Sequence, residues 1–165
     1  MLIDQKRAHE RILYEKHSGR LNQPGPATQQ TLFPLKLEFN TIDAQLLKDI
    51  EPELKLLGFD ISEFGGNTFV LNGVPTGTEN GQEKVILESI LEHYKNQSSI
   101  GKEHQTERVL MSVVSGLATK YGVALNTEEM EKMVSELFNC NTKEWTPSGK
   151  KTYRLLTEQD LQSFL

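Results

Sequence analysis

Cysteine is almost absent from this chain of 165 residues, because Cys140 is the single one. One cysteine excludes an internal disulfide and suits a reducing compartment such as the cytoplasm. No apolar run approaches the roughly 20 residues that a membrane-spanning helix needs, and no basic-plus-apolar leader is present. We therefore expect a cytoplasmic protein with no membrane partner.

A surplus of positive charge is also missing. The chain carries 18 Lys and Arg against 23 Asp and Glu, a formal net charge of −5. Because phosphate neutralisation supplies most of the affinity of DNA-binding domains, we expect this chain to bind DNA only weakly by itself. Its glycines show no P-loop or dinucleotide spacing, and its four histidines and one cysteine lack zinc-finger spacing.

The remaining composition is that of an ordinary soluble protein, with 36% hydrophobic and 25% charged residues. A chain of this length can bury a core as one domain or as two small ones. Its first residues, Met1 to Ile3, are apolar and indicate the end of a buried strand. We therefore expect the chain to be a fragment of a longer protein.

A helix is predicted to follow this strand, because an apolar stripe includes Ala8 and Ile12. Asp4, Lys6 and Glu10 would then place carboxylates and a cation together near the end of the strand. Charged residues on a first helical turn usually form a solvated face. A site for chemistry is the alternative interpretation of the same residues.

Residues 4–15 also resemble the signature of the C-terminal domain of the MutL family of mismatch-repair proteins. In nicking members of that family the signature runs Asp-Gln-His-Ala-x-x-Glu-x-x-x-x-Glu. The positions that match it are Asp4, Gln5, Glu10 and Glu15. Lys6 and Arg7 replace the His and the Ala of the signature.

The resemblance implies an α+β fold with a discontinuous architecture. Residues 1–40 and 106–165 would form a dimerisation subdomain, a small sheet flanked by helices. Residues 41–105 would form an inserted helix–hairpin–helix regulatory lobe, and strand-like segments on both sides of Gly65-Gly66 predict its hairpin. The implied assembly is a homodimer that uses the uncovered face of the sheet as its self-complementary surface.

The hydrophobic pattern predicts further elements. Alternating apolar residues from Phe33 to Phe39 indicate a half-buried strand. A helix that begins near Ile42 is expected to be interrupted at Pro52. Asn126 is predicted to cap a later helix, whose methionines, Met130 among them, would fill the core.

A second resemblance concerns the start of the predicted strand. Its residues are Gln29, Leu32, Phe33 and Pro34, and they resemble the short peptide with which replication proteins dock on the ring-shaped sliding clamp. MutL relatives carry a version of this peptide at the same place. In such a peptide Leu and Phe enter an apolar pocket while Gln anchors by hydrogen bonds. The alternative is that Leu32 and Phe33 simply begin a core strand.

The metal ligands of nicking MutL relatives are replaced in this chain. Those relatives use a His in the first motif, a Cys in the long helix, and a Cys and a His near the C-terminus. The residues at these positions are, in the same order, Lys6, Ser115, Thr146 and Ser148. Since zinc and similar ions prefer nitrogen and sulfur donors, we expect no metal site, and an ion pair of Lys6 with Glu10 in its place.

The resemblance leads to two functional hypotheses. The preferred one is a homodimerisation domain that couples mismatch repair to the sliding clamp and whose nuclease site is degenerate. The alternative is an active metal-dependent DNA-nicking endonuclease that uses Asp4, Glu10 and Glu15, because Mg²⁺ needs only oxygen donors. An unrelated α+β binding module would require the opening motif to be a coincidence.

No cofactor is expected in this chain itself. The resemblance implies that the ATPase, with its ATP and Mg²⁺, lies in an N-terminal region of the full-length protein that this chain does not include. The mismatch-recognition protein MutS would be a partner of the full-length protein.

Overall fold

A computed structural model describes residues 1–21, 28–78, 81–97 and 104–162 of the chain. The elements in chain order are β1 (Leu2–Ile3), α1 (Gln5–Ser18), β2 (Thr28–Glu38), α2 (Thr41–Leu56), β3 (Asp60–Gly65), β4 (Thr68–Pro75), α3 (Glu83–Asn96), α4 (Gln105–Leu117), α5 (Thr127–Asn139), β5 (Tyr153–Arg154) and α6 (Glu158–Gln162). The α+β fold is confirmed, with small antiparallel sheets. Within these ranges, no helix has both the length and the apolar character needed to cross a bilayer.

The chain divides into two compact units. The outer unit comprises residues 1–16 and 118–165, and the middle unit comprises residues 17–117. The sequence had predicted domain boundaries after residue 40 and after residue 105. The first division comes earlier because β2 pairs along β4, and the second comes later because α4 packs on α3, so both elements belong to the middle unit. The roles of dimerisation and regulation assigned to the two parts stay predictions.

The sheet of the middle unit has the strand order β2-β4-β3. The predicted hairpin is confirmed, because β3 and β4 pair on either side of a turn at Gly65 and Gly66. These residues have φ angles of 115° and 60°, a left-handed conformation that favours glycine. Helices α3 and α4 pack closely, since a Cβ at Gly116 would lie only 2.8 Å from Cγ1 of Ile90.

Helix α2 departs from the prediction, because Pro52 lies inside it without interrupting it. Asn40 caps the helix, with its side chain accepting a 2.9 Å hydrogen bond from the N–H of Asp43. The residues that α2 buries are Ala44, Leu47, Ile50 and Leu54. This buried face continues on both sides of Pro52, so packing offsets the single backbone hydrogen bond that proline removes. Ile42, near which the sequence predicted the start of this helix, is exposed.

The outer unit contains a two-stranded antiparallel sheet. Strand β1 pairs with β5, so that Leu2 lies opposite Arg154 and Ile3 lies opposite Tyr153. The sheet places the start of α1, which follows β1 directly, beside the segment that precedes β5. This arrangement positions the residues of the opening motif.

Helix α5 of the outer unit begins with the predicted cap. Asn126 accepts a hydrogen bond from the N–H of Glu129, and the Glu129 carboxylate accepts one from the N–H of Asn126, each at 2.9 Å. The prediction that its methionines fill the core is wrong for Met130, which is 48% exposed. Leu137 is fully buried, so α5 is covered near its C-terminal end and open near its start.

Candidate functional site

Asp4 organises the start of α1. Its backbone N–H donates to the carbonyl of Thr152 at 2.9 Å, which ties it to the segment before β5. Its carboxylate Oδ1 accepts the N–H of Arg7 at 3.0 Å, the bond of an N-cap, and Oδ2 lies 3.2 Å from Nε of the same arginine. The Asp4 carboxylate therefore caps the helix and forms an ion pair with Arg7.

Lys6 points toward an aromatic ring. Its ammonium lies 5.3 Å from the ring centroid of Tyr121, a cation–π distance. The neighbouring Gln5 side chain donates to the carbonyl of Val123 at 3.0 Å. The first turn of α1 thus rests against residues 121–123.

Glu10 is half-buried one turn further along α1. Burial raises the pKa of its carboxyl above the usual value; Lys6, Lys150 and Arg7 act in the opposite direction, and Asp4 adds to the increase. Within the described ranges the carboxylate of Glu10 forms no ion pair or hydrogen bond. The expected Lys6–Glu10 ion pair is wrong, because the cation–π contact holds the Lys6 ammonium near Tyr121.

Glu15, the last residue of the motif, has a structural role. Its two carboxylate oxygens accept the backbone N–H groups of Asn141 at 2.8 Å and Thr142 at 3.0 Å. Arg11 lies 3.9 Å from one of these oxygens. The carboxylate therefore fastens α1 to the segment that follows α5.

Thr146 and Ser148, at the positions of the C-terminal Cys and His ligands, are close together. Their hydroxyl oxygens are 2.9 Å apart, and Thr146 Oγ1 accepts the N–H of Lys150 at 3.0 Å. The N–H of Thr146 donates back to the carbonyl of Lys150 at 2.7 Å, and Gly149 adopts φ 78°. The two hydroxyl side chains thus stabilise a tight turn.

Ser115 belongs to the middle unit. Its hydroxyl oxygen lies 3.0 Å from Nε2 of His93, on the neighbouring helix α3. The position that holds a Cys in nicking relatives therefore carries a hydrogen-bonded hydroxyl.

The residues at the ligand positions do not fit a transition-metal ion. Two of them are mutually hydrogen-bonded hydroxyls, one is an ammonium and one is a serine paired with histidine. Transition metals prefer thiolate and imidazole donors. In the ranges that the structure describes, no three His, Cys, Asp or Glu side chains come together as a possible metal-binding group.

His9 and Arg11 of α1 also make contacts with residues that are distant in sequence. His9 Nδ1 accepts the N–H of Thr119 at 3.1 Å and lies 2.7 Å from the hydroxyl of that threonine. Burial lowers the pKa of His9, with an opposing effect of Glu136 and a smaller lowering by Lys16. The buried Arg11 donates through Nε to the carbonyl of Trp145. These partners lie more than 100 residues away in sequence, so no local pattern signals them.

The clamp-like segment lies in a bulge of β2. Gln30 pairs with Gly73, and the next paired residue, Leu35, lies opposite Leu71. Residues 31–34 therefore stand opposite a single residue of β4 and leave the regular ladder.

The bulge exposes the apolar residues of the docking motif. Leu32 is 93% exposed and Phe33 is 85% exposed, so the prediction of a half-buried strand is wrong at Phe33. The Thr31 hydroxyl donates to the carbonyl of Asn72 at 2.9 Å, which holds the base of the bulge on β4. Gln29 stays in the ladder opposite Val74.

Comparison with known proteins identifies the family. Residues 1–138 match the family described as MutL C terminal dimerisation domain. The DNA mismatch repair protein MutL of Parabacteroides distasonis is 32% identical over 161 residues, which cover 98% of this chain and 26% of that protein. The MutL of Pelodictyon phaeoclathratiforme is 34% identical over 150 residues, which cover 91% of this chain and 24% of that protein.

A third relative, the MutL of Bacteroides fragilis, is 31% identical over 161 residues, again 98% of this chain and 26% of the relative. The chain thus spans about a quarter of the length of the curated relatives it matches. The family match covers most of the chain and agrees with the motif at the start of α1. The chain therefore belongs to the MutL C-terminal dimerisation domain family of DNA mismatch repair proteins.

Proposed function

We propose that this dimerisation domain couples mismatch repair to the replication sliding clamp and that its own nuclease site is silent. The observation that carries the proposal is the bulge of β2, which holds Leu32 and Phe33 out in solvent. Two adjacent large apolar side chains with this exposure gain nothing from the fold of the chain. They would gain from burial in a partner's pocket.

The bulge is suited to docking because it is held at both ends. Gln30 and Leu35 pair with β4 on either side of it, and Thr31 anchors its base. Pro34 has no N–H and so favours a segment outside the ladder. A peptide presented in a fixed conformation loses less entropy on binding than a free one. The fixed conformation of the bulge therefore favours docking.

A clamp-binding assay tests this part of the proposal. Leu32→Ala and Phe33→Ala should each weaken binding to purified sliding clamp about tenfold or more, since truncating a central apolar anchor costs above about 1.4 kcal/mol. Phe64→Ala is the matched control, because Phe64 is an exposed phenylalanine on β3, the opposite edge of the same sheet. Binding that is indifferent to both bulge substitutions would refute clamp docking.

We further propose that the homodimer forms through the outer unit. Leu2 on β1 and Leu155 beside β5 are exposed, and so is Met130 at the open start of α5. A second copy of the chain would cover these exposed apolar side chains by the same residues, as twofold symmetry requires. Light scattering on the chain should give the mass of two copies.

We expect the nuclease site to be inactive because two of the motif carboxylates are already bound to other groups of the chain. Glu15 accepts two backbone N–H groups, and Asp4 caps α1 and pairs with Arg7. The ammonium of Lys6 stands where nicking relatives carry a histidine. The chain is therefore expected to leave supercoiled plasmid intact in the presence of Mn²⁺. Nicking by the wild type that Asp4→Asn abolishes would instead establish the endonuclease alternative.

The remaining proposals concern the whole protein and rest on the family alone. The middle unit would have a regulatory role, and the ATPase with its ATP and Mg²⁺ would lie outside this chain. MutS would be engaged by the full-length protein in the cytoplasm. A pull-down of MutS by the full-length protein, with this chain as control, tests whether MutS binding requires regions outside this chain.

A further inference from the structure

The strand residues just before the bulge of β2 lie against a glycine of the central strand. Gly73 of β4 pairs with Gln30 of β2 on one side and with Asp60 of β3 on the other. A Cβ at this position would lie 2.5 Å from Cγ2 of Thr28 and 3.1 Å from the carbonyl oxygen of Gln29. Carbon atoms in contact are about 3.5–4.0 Å apart, so only a glycine lets the start of β2 lie this close to β4.

The missing side chain of Gly73 also leaves room for a contact between the two outer strands of this sheet. Residues paired across neighbouring strands point to the same face of a sheet, so a side chain on Gly73 would stand between Gln30 and Asp60. Nε2 of Gln30 instead donates a 3.4 Å hydrogen bond to Oδ2 of Asp60. This bond crosses the central strand and ties the last paired residue before the bulge to β3.

The first residue of the bulge is fixed by a separate contact. The Thr31 hydroxyl donates to the backbone carbonyl of Asn72, the residue of β4 that stands opposite the bulge. Gly73 is buried and has no side chain, so it can affect docking only through the conformation of β2. Asp60 lies on β3, the strand farthest from the bulge in this sheet. Neither residue belongs to the docking motif.

We propose that Gly73, Asp60 and Thr31 are positioning residues that hold residues 31–34 in the conformation that the sliding clamp binds, an inference that rests on the proposed clamp docking. When only a fraction of the molecules holds the competent conformation, the apparent affinity falls by that fraction. Strands β3 and β4 therefore help to set the affinity of docking, although the motif itself lies on β2.

Gly73→Ala tests the close approach of β2 to β4. The added Cβ would displace Thr28, so calorimetric titration with purified sliding clamp should show binding weakened about fivefold or more, as when about a fifth of the molecules or fewer hold the competent conformation. Gly116→Ala is the matched control in the same unit, because its Cβ would lie 2.8 Å from Cγ1 of Ile90, away from β2. The control should melt at a lower temperature and bind like the wild type. Equal losses of affinity in the two variants would overturn the proposal.

Thr31→Val is a milder test, because valine has the shape of threonine without the hydroxyl. Loss of the bond to the Asn72 carbonyl should weaken clamp binding by the chain about twofold to tenfold, the range for one hydrogen bond. Thr31→Ser keeps the hydroxyl and should restore the affinity. A synthetic peptide of residues 28–36 carries the motif without β4, so Thr31→Val should leave its affinity unchanged. A loss as large in the peptide as in the chain would mean that Thr31 contacts the clamp, and would overturn its positioning role.

Asp60 is tested through its hydrogen-bond partner Gln30. Asp60→Ala should weaken clamp binding about twofold to threefold, near the lower end of the range for one hydrogen bond. In a chain that already carries Gln30→Ala, the same substitution should change nothing, because the bond has been lost. An equal loss in both backgrounds would show that Asp60 acts independently of Gln30, and would overturn its positioning role.

Leu32→Ala separates the positioning role from clamp docking itself. If Leu32→Ala leaves clamp binding unchanged, the chain does not dock through residues 31–34 and the proposed function fails. If Leu32→Ala weakens binding while Gly73→Ala and Thr31→Val do not, docking holds and the positioning role is wrong.

Discussion

The two units of this chain differ in how many apolar side chains they bury. The middle unit holds most of the buried apolar residues in the described ranges, including Leu47, Phe59 and Phe69. The fully or nearly fully buried apolar residues described in the outer unit are Ala8, Ala118 and Leu137. Both units bury some polar side chains, but in the outer unit these are as many as the buried apolar ones: Arg11, Thr146 and Thr152.

This difference bears on how each unit is stabilised. Burial of apolar surface is the main favourable term in folding, about 25 cal/mol for each Å². The middle unit therefore has a core of its own. The outer unit depends more on hydrogen bonds such as those of Glu15 and Thr146, and its Leu2 and Leu155 stay exposed. A unit with this composition is suited to dimerisation.

The largest expected effect is loss of the dimer when charge enters the apolar surface of the outer unit. Replacing Leu2 and Leu155 together by Asp should convert the dimer to a folded monomer, because each interface would bury four uncompensated carboxylates. Light scattering measures the mass and circular dichroism the fold. Ile42→Asp is the control, since Ile42 is 75% exposed in the middle unit. A double variant that remains dimeric would mean that another surface joins the copies.

The next largest effect is a difference in the stability lost when an apolar side chain is truncated in the middle unit and in the outer unit. Leu47→Ala removes a fully buried side chain from α2 and should lower the free energy of unfolding by about 2–5 kcal/mol. Val134→Ala, at a half-buried position of α5, should cost less than about 1 kcal/mol. Urea denaturation at one fixed protein concentration measures both. Equal losses would show that the outer unit is packed as tightly as the middle one.

The features predicted correctly from the sequence are those that depend on neighbouring residues. The hairpin at Gly65 and Gly66 requires only a turn with positive φ, and the cap at Asn126 requires only Glu129 three residues later. The family could be recognised for the same reason, because residues 4–15 form one continuous motif.

The errors concern features set by distant residues. Phe33 belongs to an alternating apolar pattern that is typical of a strand, but the register shift between Gln30 and Leu35 leaves it outside the pairing with β4. Lys6 is one helical turn from Glu10, yet Tyr121, far along the chain, holds its ammonium. Pro52 is a helix breaker by propensity, and the packing of α2 outweighs that propensity.

A smaller loss of stability is expected when the carboxylate of Glu15 is removed, because this carboxylate stabilises the fold of the outer unit. Glu15→Ala leaves the N–H groups of Asn141 and Thr142 without their acceptor and should lower the free energy of unfolding by about 1–3 kcal/mol. Glu131→Ala, at an exposed position of α5, is the control and should have little effect. Urea denaturation measures the difference. If both variants unfold like the wild type, the hydrogen bonds of the Glu15 carboxylate do not stabilise the fold.

The smallest effect is a pH dependence that belongs to the outer unit. His9 has a folded-state pKa below its ordinary value of 6.5, chiefly because of burial, and its Nδ1 accepts the N–H of Thr119. The unfolded chain therefore binds a proton at a pH where the folded chain does not, and stability falls as the pH drops below 6.5 and through the folded-state pKa.

Melting temperatures between pH values of about 7.5 and 5, the range in which histidine titrates, measure this dependence. His9→Gln keeps a hydrogen-bond acceptor without a titrating ring, so it should reduce the loss of stability in acid. His104→Gln, at an exposed position of the middle unit, should leave the loss unchanged. If His104→Gln reduces the loss as much as His9→Gln does, the acid sensitivity does not arise from the buried polar contacts of the outer unit, and the contrast between the two units fails on this point.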